Sequence, residues 1–393
     1  MSAATSQATW LAELREAARS RVAEGKLPDR SALEAWRKVD LSSFEPGAYP
    51  VGDAGPGTAF ALKGDGAESL KIDEALEAGG DLADFTEDAL RYYATGDQAT
   101  YFNAHGLAAG GERVLKLSGT SSEPILARHI AVGPDARVIT PRTLVYVQTG
   151  AEVTLIEEYA FARETASDDL RLIAPMTDLY LAPGSRLNYI MLGDFDASDF
   201  HFRNFRSRQM RDSNLNVYLF PLGGLKGKHF YRNEAMEPGT ECRVVGCAVG
   251  KDREFNDMDI RMEHHADHTQ SSILYRSVVR DRAHHVFYGN LHIAPGLKDV
   301  DSHQTNNNIL LDRRARAESM PNLIIRAEDV AAEHGATVGE LDPEALYFLM
   351  ARGIPEDEAR SLLIEGFINS VLQEVPGEQL RADIDRRLKD RLS

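Results

Sequence analysis

Histidines are the most concentrated chemical groups in this sequence, and seven of the twelve lie between residues 264 and 303. They are His264, His265, His268, His284, His285, His292 and His303. Neutral imidazole nitrogens bind zinc, copper and iron, so this density invites a metal site. If residues 260 to 270 form a strand, however, only His264 and His268 share a face, which gives at most two local ligands. Histidines that line coil edges and hydrogen-bond to nearby backbone are the favoured interpretation.

Cysteine chemistry is limited to Cys242 and Cys247, whereas an iron–sulfur cluster usually takes four thiolates. Their separation is odd, so in a strand the two side chains point to opposite faces, which disfavours a disulfide or a shared metal. We predict that both are small apolar core residues. Any cluster held here then needs other ligands or a second chain.

Motifs for other catalytic chemistry are missing from the sequence. There is no Gly-x-Ser-x-Gly elbow, and the glycines and lysines of residues 223–228 lack the order of a phosphate-binding loop. Sugar-cleaving β-helix enzymes need clustered carboxylates, and only Asp257 and Asp259 stand close together; we expect them on a solvated strand face. A β-helix carbohydrate-active enzyme and a histidine-rich, cupin-like metalloenzyme are the alternatives from the enzyme class.

The charge balance and hydropathy exclude two classes of partner. The formal net charge is −17, from 44 basic and 61 acidic residues, which opposes binding to nucleic acid. One basic cluster is interpreted as a solvated strand face or a protein contact and not as an RNA patch; it contains Arg203, Arg206, Arg208 and Arg211. No stretch approaches the apolar length of a membrane span, and the N-terminus does not read as a signal peptide, so we predict a cytoplasmic protein.

The sequence pattern of the segments that must position these groups changes near Arg113. Beyond it, short β-branched and aromatic segments recur after turn signals at Gly133, Gly150, Gly184, Gly239 and Gly296. The separations of 17, 34, 55 and 57 residues are close to multiples of about 17 to 19. A period near eighteen is too short for a βαβ unit and predicts one coil of a parallel β-helix. A β-sandwich of linked hairpins is the main alternative.

Helical patterns flank the β-rich region. Helices are predicted over about residues 6–24 and within 73–106, and Asp342 is a predicted cap for a helix that starts at Pro343. A last charged helix is expected to be exposed. We therefore predict a right-handed parallel β-helix over residues 107–326, between an N-terminal helical region with an irregular loop (1–106) and a C-terminal helical domain (327–393).

Three segments resemble one known family. Residues 326–339 are Arg-Ala-Glu-Asp-Val-Ala-Ala-Glu-His-Gly-Ala-Thr-Val-Gly. After Glu340, residues 341–354 are Leu-Asp-Pro-Glu-Ala-Leu-Tyr-Phe-Leu-Met-Ala-Arg-Gly-Ile. Upstream are Asp-His-Thr-Gln-Ser-Ser-Ile-Leu-Tyr-Arg (267–276) and His-Gln-Thr-Asn-Asn-Asn-Ile-Leu-Leu (303–311). With these motifs the sequence resembles the SufB/SufD family of iron–sulfur cluster assembly scaffolds. Asn306, Asn307 and Asn308 stand near where SufB has a cysteine, which favours the SufD branch.

The resemblance implies a scaffold subunit that is not an enzyme and that pairs with SufB through the β-helices. It implies that His334 lies at the SufB interface and assists formation of the nascent cluster, with Glu333 as a secondary candidate. Ala332 stands where some SufD proteins carry a cysteine, so any thiolate is expected from the partner. The isolated chain is expected to bind no cofactor, because the cluster is transient at the interface with SufB.

The resemblance also implies that two copies of the SufC ATPase dock on the C-terminal helices. The residues assigned to this docking are Leu346, Leu349, Arg352, Gly353, Ile354 and Phe367. Packing within the chain is the alternative explanation for the same apolar stripe. Whether the isolated chain forms a homodimer stays open at this point.

Overall fold

The computed structural model describes residues 3–51, 58–98, 100–131, 137–161 and 169–392. Within them the α-helices are α1 (Ala3–Glu24), α2 (Ile72–Glu77), α3 (Gly80–Tyr92), α4 (Tyr101–Ala109), α5 (Pro343–Met350), α6 (Glu356–Leu372) and α7 (Glu378–Leu392). Short 3-10 helices lie at Glu34–Trp36, Pro46–Ala48 and Gly96–Gln98. In this described part of the chain, no helix is both long and apolar enough to span a lipid bilayer.

The first ten strands are β1 (Thr58–Lys63), β2 (Ala67–Leu70), β3 (Arg113–Leu117), β4 (Ile125–Ala131), β5 (Val138–Ile139), β6 (Arg142–Val147), β7 (Glu152–Ala160), β8 (Arg171–Ile173), β9 (Met176–Leu181) and β10 (Arg186–Phe195). The next ten are β11 (Asp199–Gln209), β12 (Asn214–Gly223), β13 (Lys226–Ala235), β14 (Glu241–Gly250), β15 (Phe255–His264), β16 (Gln270–Val279), β17 (His284–Ile293), β18 (Lys298–Leu310), β19 (Arg316–Ile325) and β20 (Asp329–Gly339).

From β9 onward these strands alternate between two sheets that face each other. Sheet A has the order β1-β4-β7-β10-β12-β14-β16-β18-β20, and sheet B contains β19-β17-β15-β13-β11-β9-β6-β3-β2. From β10 onward, each strand pairs in parallel with the strand one coil further along, as Arg186 does with Asn214. The result is a parallel β-solenoid of about seven turns, which confirms the predicted β-helix.

The predicted coil length of about eighteen residues is wrong. Asn214 is in register with Glu241, a separation of 241 − 214 = 27 residues, and Glu152 is in register with Arg186, a separation of 186 − 152 = 34 residues. Each coil is therefore about 30 residues long because it contributes one strand to each of two sheets.

The glycine spacing misled because several coils turn at a residue other than glycine. Asp212 has φ 57° and lies in one column with Gly184 and Gly239; its own N–H bonds to Pro238 O, and Gly239 N–H bonds to His268 O. His268, with φ 56°, takes the same position one coil later. Both residue types adopt the left-handed conformation more readily than most, so the turn survives while the sequence signal disappears. The turn predicted at Gly133 lies outside the described residues.

The middle coils are covered on both outer faces. On sheet B, Trp36 and Phe102 of the N-terminal region pack on Phe202, with ring centres 5.8 and 3.9 Å from it. On sheet A, α6 and α7 bury an apolar cluster that includes Ile368 and Leu388. The charged helix α7 is therefore not simply exposed, as the sequence predicted, because one apolar side of it packs on the sheet.

The solenoid extends past both predicted ends of the core. Strands β1 and β2 come from the predicted N-terminal helical region and pair antiparallel with β4 and β3. At the other end, β20 continues sheet A through residue 339, so the start predicted for the C-terminal helical domain at residue 327 is too early. The alternation of Val330, Ala332, His334, Ala336 and Val338 has the period of a strand, and the first helix after it begins at Pro343.

Candidate functional site

The last coil ends in two edge strands, each paired on one side only. Strands β19 and β20 are the outermost members of sheets B and A, and no strand of the described chain pairs with their far sides. Apolar side chains are exposed beside them: Ile324 by 40%, Ile325 by 39% and Val338 by 45%. Free backbone groups next to exposed apolar surface make this end competent to accept another chain.

His334 lies in the middle of the edge strand β20 and is exposed. It is in register with Gln304 of β18, which is only 3% exposed and belongs to the buried, inward row of that strand. Because residues in register share a face of the sheet, His334 belongs to the inward row of the last coil. A neutral imidazole at this open end has the chemistry of an iron ligand.

Glu333 belongs to the opposite face of β20. Its Oε2 lies 3.7 Å from His303 Nδ1, and His303 Nε2 lies 2.7 Å from Asp301 Oδ1, in an exposed cluster on the outside of sheet A. The structure therefore does not bring the two predicted residues together. Adjacent strand residues on opposite faces cannot readily bind the same iron atom.

The histidine-rich region forms no metal site in the described part of the molecule. His264 points inward and lies 2.7 Å from Thr269 Oγ1 and 2.9 Å from Ser271 Oγ, while His265 pairs with Glu263 on the outer face. Among the described residues, no group of three or more His, Cys, Asp or Glu side chains is arranged to hold a metal ion. The partners of His264 and His265 are side chains, whereas the favoured interpretation predicted backbone partners.

The two cysteines are buried on opposite faces of β14. Cys242 packs inside the solenoid, with Sγ 3.4 Å from Tyr231 Oη, and Cys247 packs in the cluster beneath α6 and α7. Burial raises the pKa of each thiol to about 12. Both thiols are therefore neutral, and the prediction that they are core residues is confirmed.

The carboxylates considered for sugar cleavage are not solvated, contrary to the prediction. Asp257 is fully buried with its Oδ1 2.7 Å from Lys228 Nζ, and Asp259 Oδ2 lies 3.6 Å from the same atom. Burial raises the pKa of Asp257 to about 7, against the opposing effect of Lys228. The N-terminal segment covers this face of sheet B, where Trp36 packs on Phe230. Asp257 is therefore sealed from any sugar substrate.

The basic cluster is largely neutralised within the fold. Arg203 is fully buried in the interior, with its guanidinium 3.7 Å from Glu157 Oε2. Arg206 Nε lies 2.9 Å from Asp178 Oδ1 and is likewise buried. These two arginines correct the expectation of a solvated strand face or partner contact, and they leave no continuous basic surface for RNA.

The helix α5 carries most of the predicted docking residues and buries none of its side chains. Leu346, Leu349 and Ile354 are half-buried, whereas Arg352 and Gly353 are exposed. The exposed side chains also include Tyr347 (73%), Phe348 (54%) and Met350 (40%). Tyr347 and Phe348 were not predicted as docking residues. The sequence feature that could have identified them is an adjacent aromatic pair in a short helix, outside the stripe formed by Leu346 and Leu349.

Phe367 differs from the other predicted docking residues because it packs on the chain itself. Arg276 of β16 donates a hydrogen bond to Phe367 O at 2.8 Å, and its guanidinium lies 4.5 Å from the ring centre. The apolar stripe of α6 thus finds its partner in sheet A. The remaining helix surface, which we call the α5 surface, consists of Leu346, Tyr347, Phe348, Leu349, Met350 and Arg352.

Fold and site together define a β-solenoid protein that offers an edge strand, an exposed imidazole and a free helix. A family model described as "SUF system FeS cluster assembly, SufBD core domain" matches residues 129–367. The chain belongs to the SufB/SufD family of iron–sulfur cluster assembly proteins.

Curated relatives carry the same description. The iron–sulfur cluster assembly protein SufD of Escherichia coli is 26% identical over 281 residues, which cover 71% of this chain and 66% of that protein. SufD of Bacillus subtilis is 35% identical over 155 residues, covering 38% of this chain and 36% of that protein. A SufBD family protein of Synechocystis is 26% identical over 250 residues, or 62% of this chain and 55% of that protein. The chain thus spans less than two thirds of the length of these relatives.

Proposed function

We propose that this chain is a non-catalytic, cytoplasmic scaffold subunit of the SUF system, which pairs with SufB, carries the SufC ATPase and uses His334 in forming the nascent cluster. The observation that carries the proposal is the position of His334 on an edge strand whose far side is free. There the imidazole is accessible to a second chain and to iron at the same time.

Pairing with SufB is supported by the chemistry of the open end. An edge strand presents N–H and C=O groups that a strand of another protein can complete, and Ile325 and Val338 add apolar area beside it. Because the interior thiols are buried and neutral, thiolate ligands for a cluster come from the partner. The iron–sulfur cluster is then a product assembled between two chains.

Docking of SufC is supported by the α5 surface. Its aromatic residues are not buried, whereas α6 and α7 pack on sheet A. Aromatic side chains and arginine are the residue types that dominate binding energy at protein interfaces. ATP-driven movement of SufC would then act on sheet A through the same C-terminal helices.

Co-expression with SufB and SufC tests the role of His334. We expect His334→Ala to leave the complex intact and to lower its yield of cluster, while His303→Ala, which removes an exposed imidazole from the outer face of β18, serves as the matched control. The measurements are co-purification and iron and sulfide content after reconstitution. An unchanged cluster yield in His334→Ala would remove His334 from the proposal.

A second pair of variants tests the docking surface. We expect Tyr347→Ser combined with Phe348→Ser to abolish co-purification of SufC and to retain SufB. Leu362→Ser is the control, because Leu362 is 44% exposed on α6 and lies outside the α5 surface. Retention of SufC by the double variant would refute docking at α5.

A further inference from the structure

The inward row of β18 turns polar next to the open end. Its buried residues are Val300, Ser302, Gln304, Asn306 and Asn308, whereas the corresponding row of β12 contains Leu215, Val217 and Leu219. A polar lining inside a solenoid needs hydrogen-bond partners, because polar groups without them are costly to bury.

All but one of these polar side chains have such partners. Ser302 Oγ lies 2.6 Å from Ser271 Oγ, Asn306 Nδ2 donates to Tyr275 O at 3.0 Å, and Asn308 Nδ2 donates to Asn306 Oδ1 at 2.8 Å. Gln304 is the exception: neither its Oε1 nor its Nε2 has a hydrogen-bond partner within the described part of the chain, although the residue is only 3% exposed.

The fold makes specific room for the Gln304 amide. A Cβ atom on Gly289 of β17 would lie 2.0 Å from Gln304 Oε1, so any other residue at position 289 would displace the amide. The amide therefore extends across the interior towards sheet B. Both of its unsatisfied atoms are buried from solvent, one strand inward from the edge strand β20.

Gln304 is also the residue of β18 in register with His334. Both belong to the inward row of sheet A, on neighbouring strands about 4.8 Å apart. The other buried polar residues of this row are in register with Ala332, Ala336 and Val338, which have no polar side chain to offer. A buried amide without partners thus stands beside the one imidazole of the edge strand.

We propose that Gln304 is a positioning residue for His334, an inference that rests on the function proposed above. In the assembled complex, Gln304 Oε1 accepts a hydrogen bond from one N–H of the His334 imidazole. That bond fixes the tautomer and the ring orientation and leaves the lone pair of the other nitrogen directed at iron. Histidines that bind metals commonly donate their second N–H to such an acceptor, and losing it typically weakens metal binding 10- to 100-fold.

The test uses the full chain, labelled with [¹⁵N]histidine, in complex with SufB and SufC. Solid-state spectra at about pH 8.5, two units above the ordinary imidazole pKa of about 6.5, report the tautomer of each histidine, and His334→Ala assigns the signal. Gln304→Met removes the acceptor at similar length, Gln304→Glu keeps an acceptor oxygen, and Ser302→Ala is the control for the loss of an inward polar group on the same strand.

We expect a single His334 tautomer in the wild type, in Gln304→Glu and in Ser302→Ala, and a mixture in Gln304→Met. Cluster formation should fall about 10- to 100-fold in Gln304→Met and recover in Gln304→Glu. The same tautomer ratio in the wild type and Gln304→Met would overturn the positioning role alone, provided that His334→Ala still loses cluster. Normal cluster yield in His334→Ala would instead overturn the proposed function itself.

Discussion

The middle coils and the last coil share one hydrogen-bonded ladder but differ in what their side chains meet. In the middle, Ile260 is fully buried in the interior and the outer faces lie beneath the N-terminal region and α7. In the last coil, Ile325 and Val338 are 39% and 45% exposed, and nothing in the described chain covers β20. The contacts that stabilise the fold and the contacts proposed for assembly therefore lie in separate coils.

The buried charges follow the same division. In the middle coils, Glu157 accepts hydrogen bonds from Tyr189 and from Thr177 Oγ1 and lies 3.1 Å from His129 Nε2 and 3.7 Å from Arg203. Although burial acts to raise it, His129 and Arg203 hold the pKa of Glu157 at about 2. The last coil instead exposes charged groups such as Glu333.

The largest expected effect is the loss of a buried charge in the middle coils. Arg203→Met leaves Glu157 without its cation and should lower the free energy of unfolding by about 3–5 kcal/mol. The matched change in the exposed segment before β20, Arg326→Met, should alter it by less than about 0.5 kcal/mol. Denaturant unfolding of the isolated chain measures both. Similar losses in the two variants would remove the distinction between the coils.

Two isoleucines test whether apolar contacts contribute differently to stability in the middle coils and in the last coil. Ile260→Ala in β15 should destabilise the isolated chain by about 2–5 kcal/mol, because it removes buried methyl groups and leaves a cavity. Ile325→Ala in β19 should cost about 1 kcal/mol or less and should instead weaken binding to the partner. A greater loss of stability from the change at Ile325 would contradict the assignment of that end to assembly.

The interior histidines give the middle coils a pH dependence. Burial lowers the pKa of His201 to about 3, against the opposing hydrogen bond to Gly223 O, and burial lowers the pKa of His285 to about 3 as well. The unfolded chain takes up these protons near pH 6.5 but the folded chain does not. The contribution of these histidines to the free energy of unfolding is therefore complete above about pH 6.5. It falls towards pH 3 by about 1.4 kcal/mol per pH unit for each such histidine.

His201→Gln isolates one of these protons. Its unfolding free energy, measured between pH 6 and 4, should depend on pH with a slope smaller by about 1.4 kcal/mol per unit than that of the wild type. An identical slope in the variant would mean that His201 is protonated in the folded chain.

The smallest effect is expected at the free helix. The Asp342 side chain accepts a hydrogen bond from the Glu344 N–H at 2.9 Å and caps α5. Asp342→Ala should destabilise α5 by about 1 kcal/mol. Hydrogen exchange should accelerate in α5 and stay unchanged in β14. Accelerated exchange in both elements would show that α5 is coupled to the middle coils.

The sequence predicted features that depend on neighbouring residues and missed those that depend on packing between distant segments. The Asp342 cap, the Pro343 start of α5 and the opposite faces of the cysteines follow from neighbouring residues. The coil length did not, because Asp212 and His268 adopt glycine-like turns. The burial of Asp257 was also missed, since it depends on where the distant N-terminal segment lies. His334 came from the family resemblance, and its inward row became evident only from the register with Gln304.

Hydrogen exchange of β20 tests the central claim, that the free edge of the last coil is left for assembly. Amides of residues 329–339 whose N–H points away from β18 should exchange rapidly in the isolated chain and become protected when SufB binds, while exchange in β14 stays slow in both states. Equal exchange of β20 with and without SufB, in a complex shown to be intact, would contradict it.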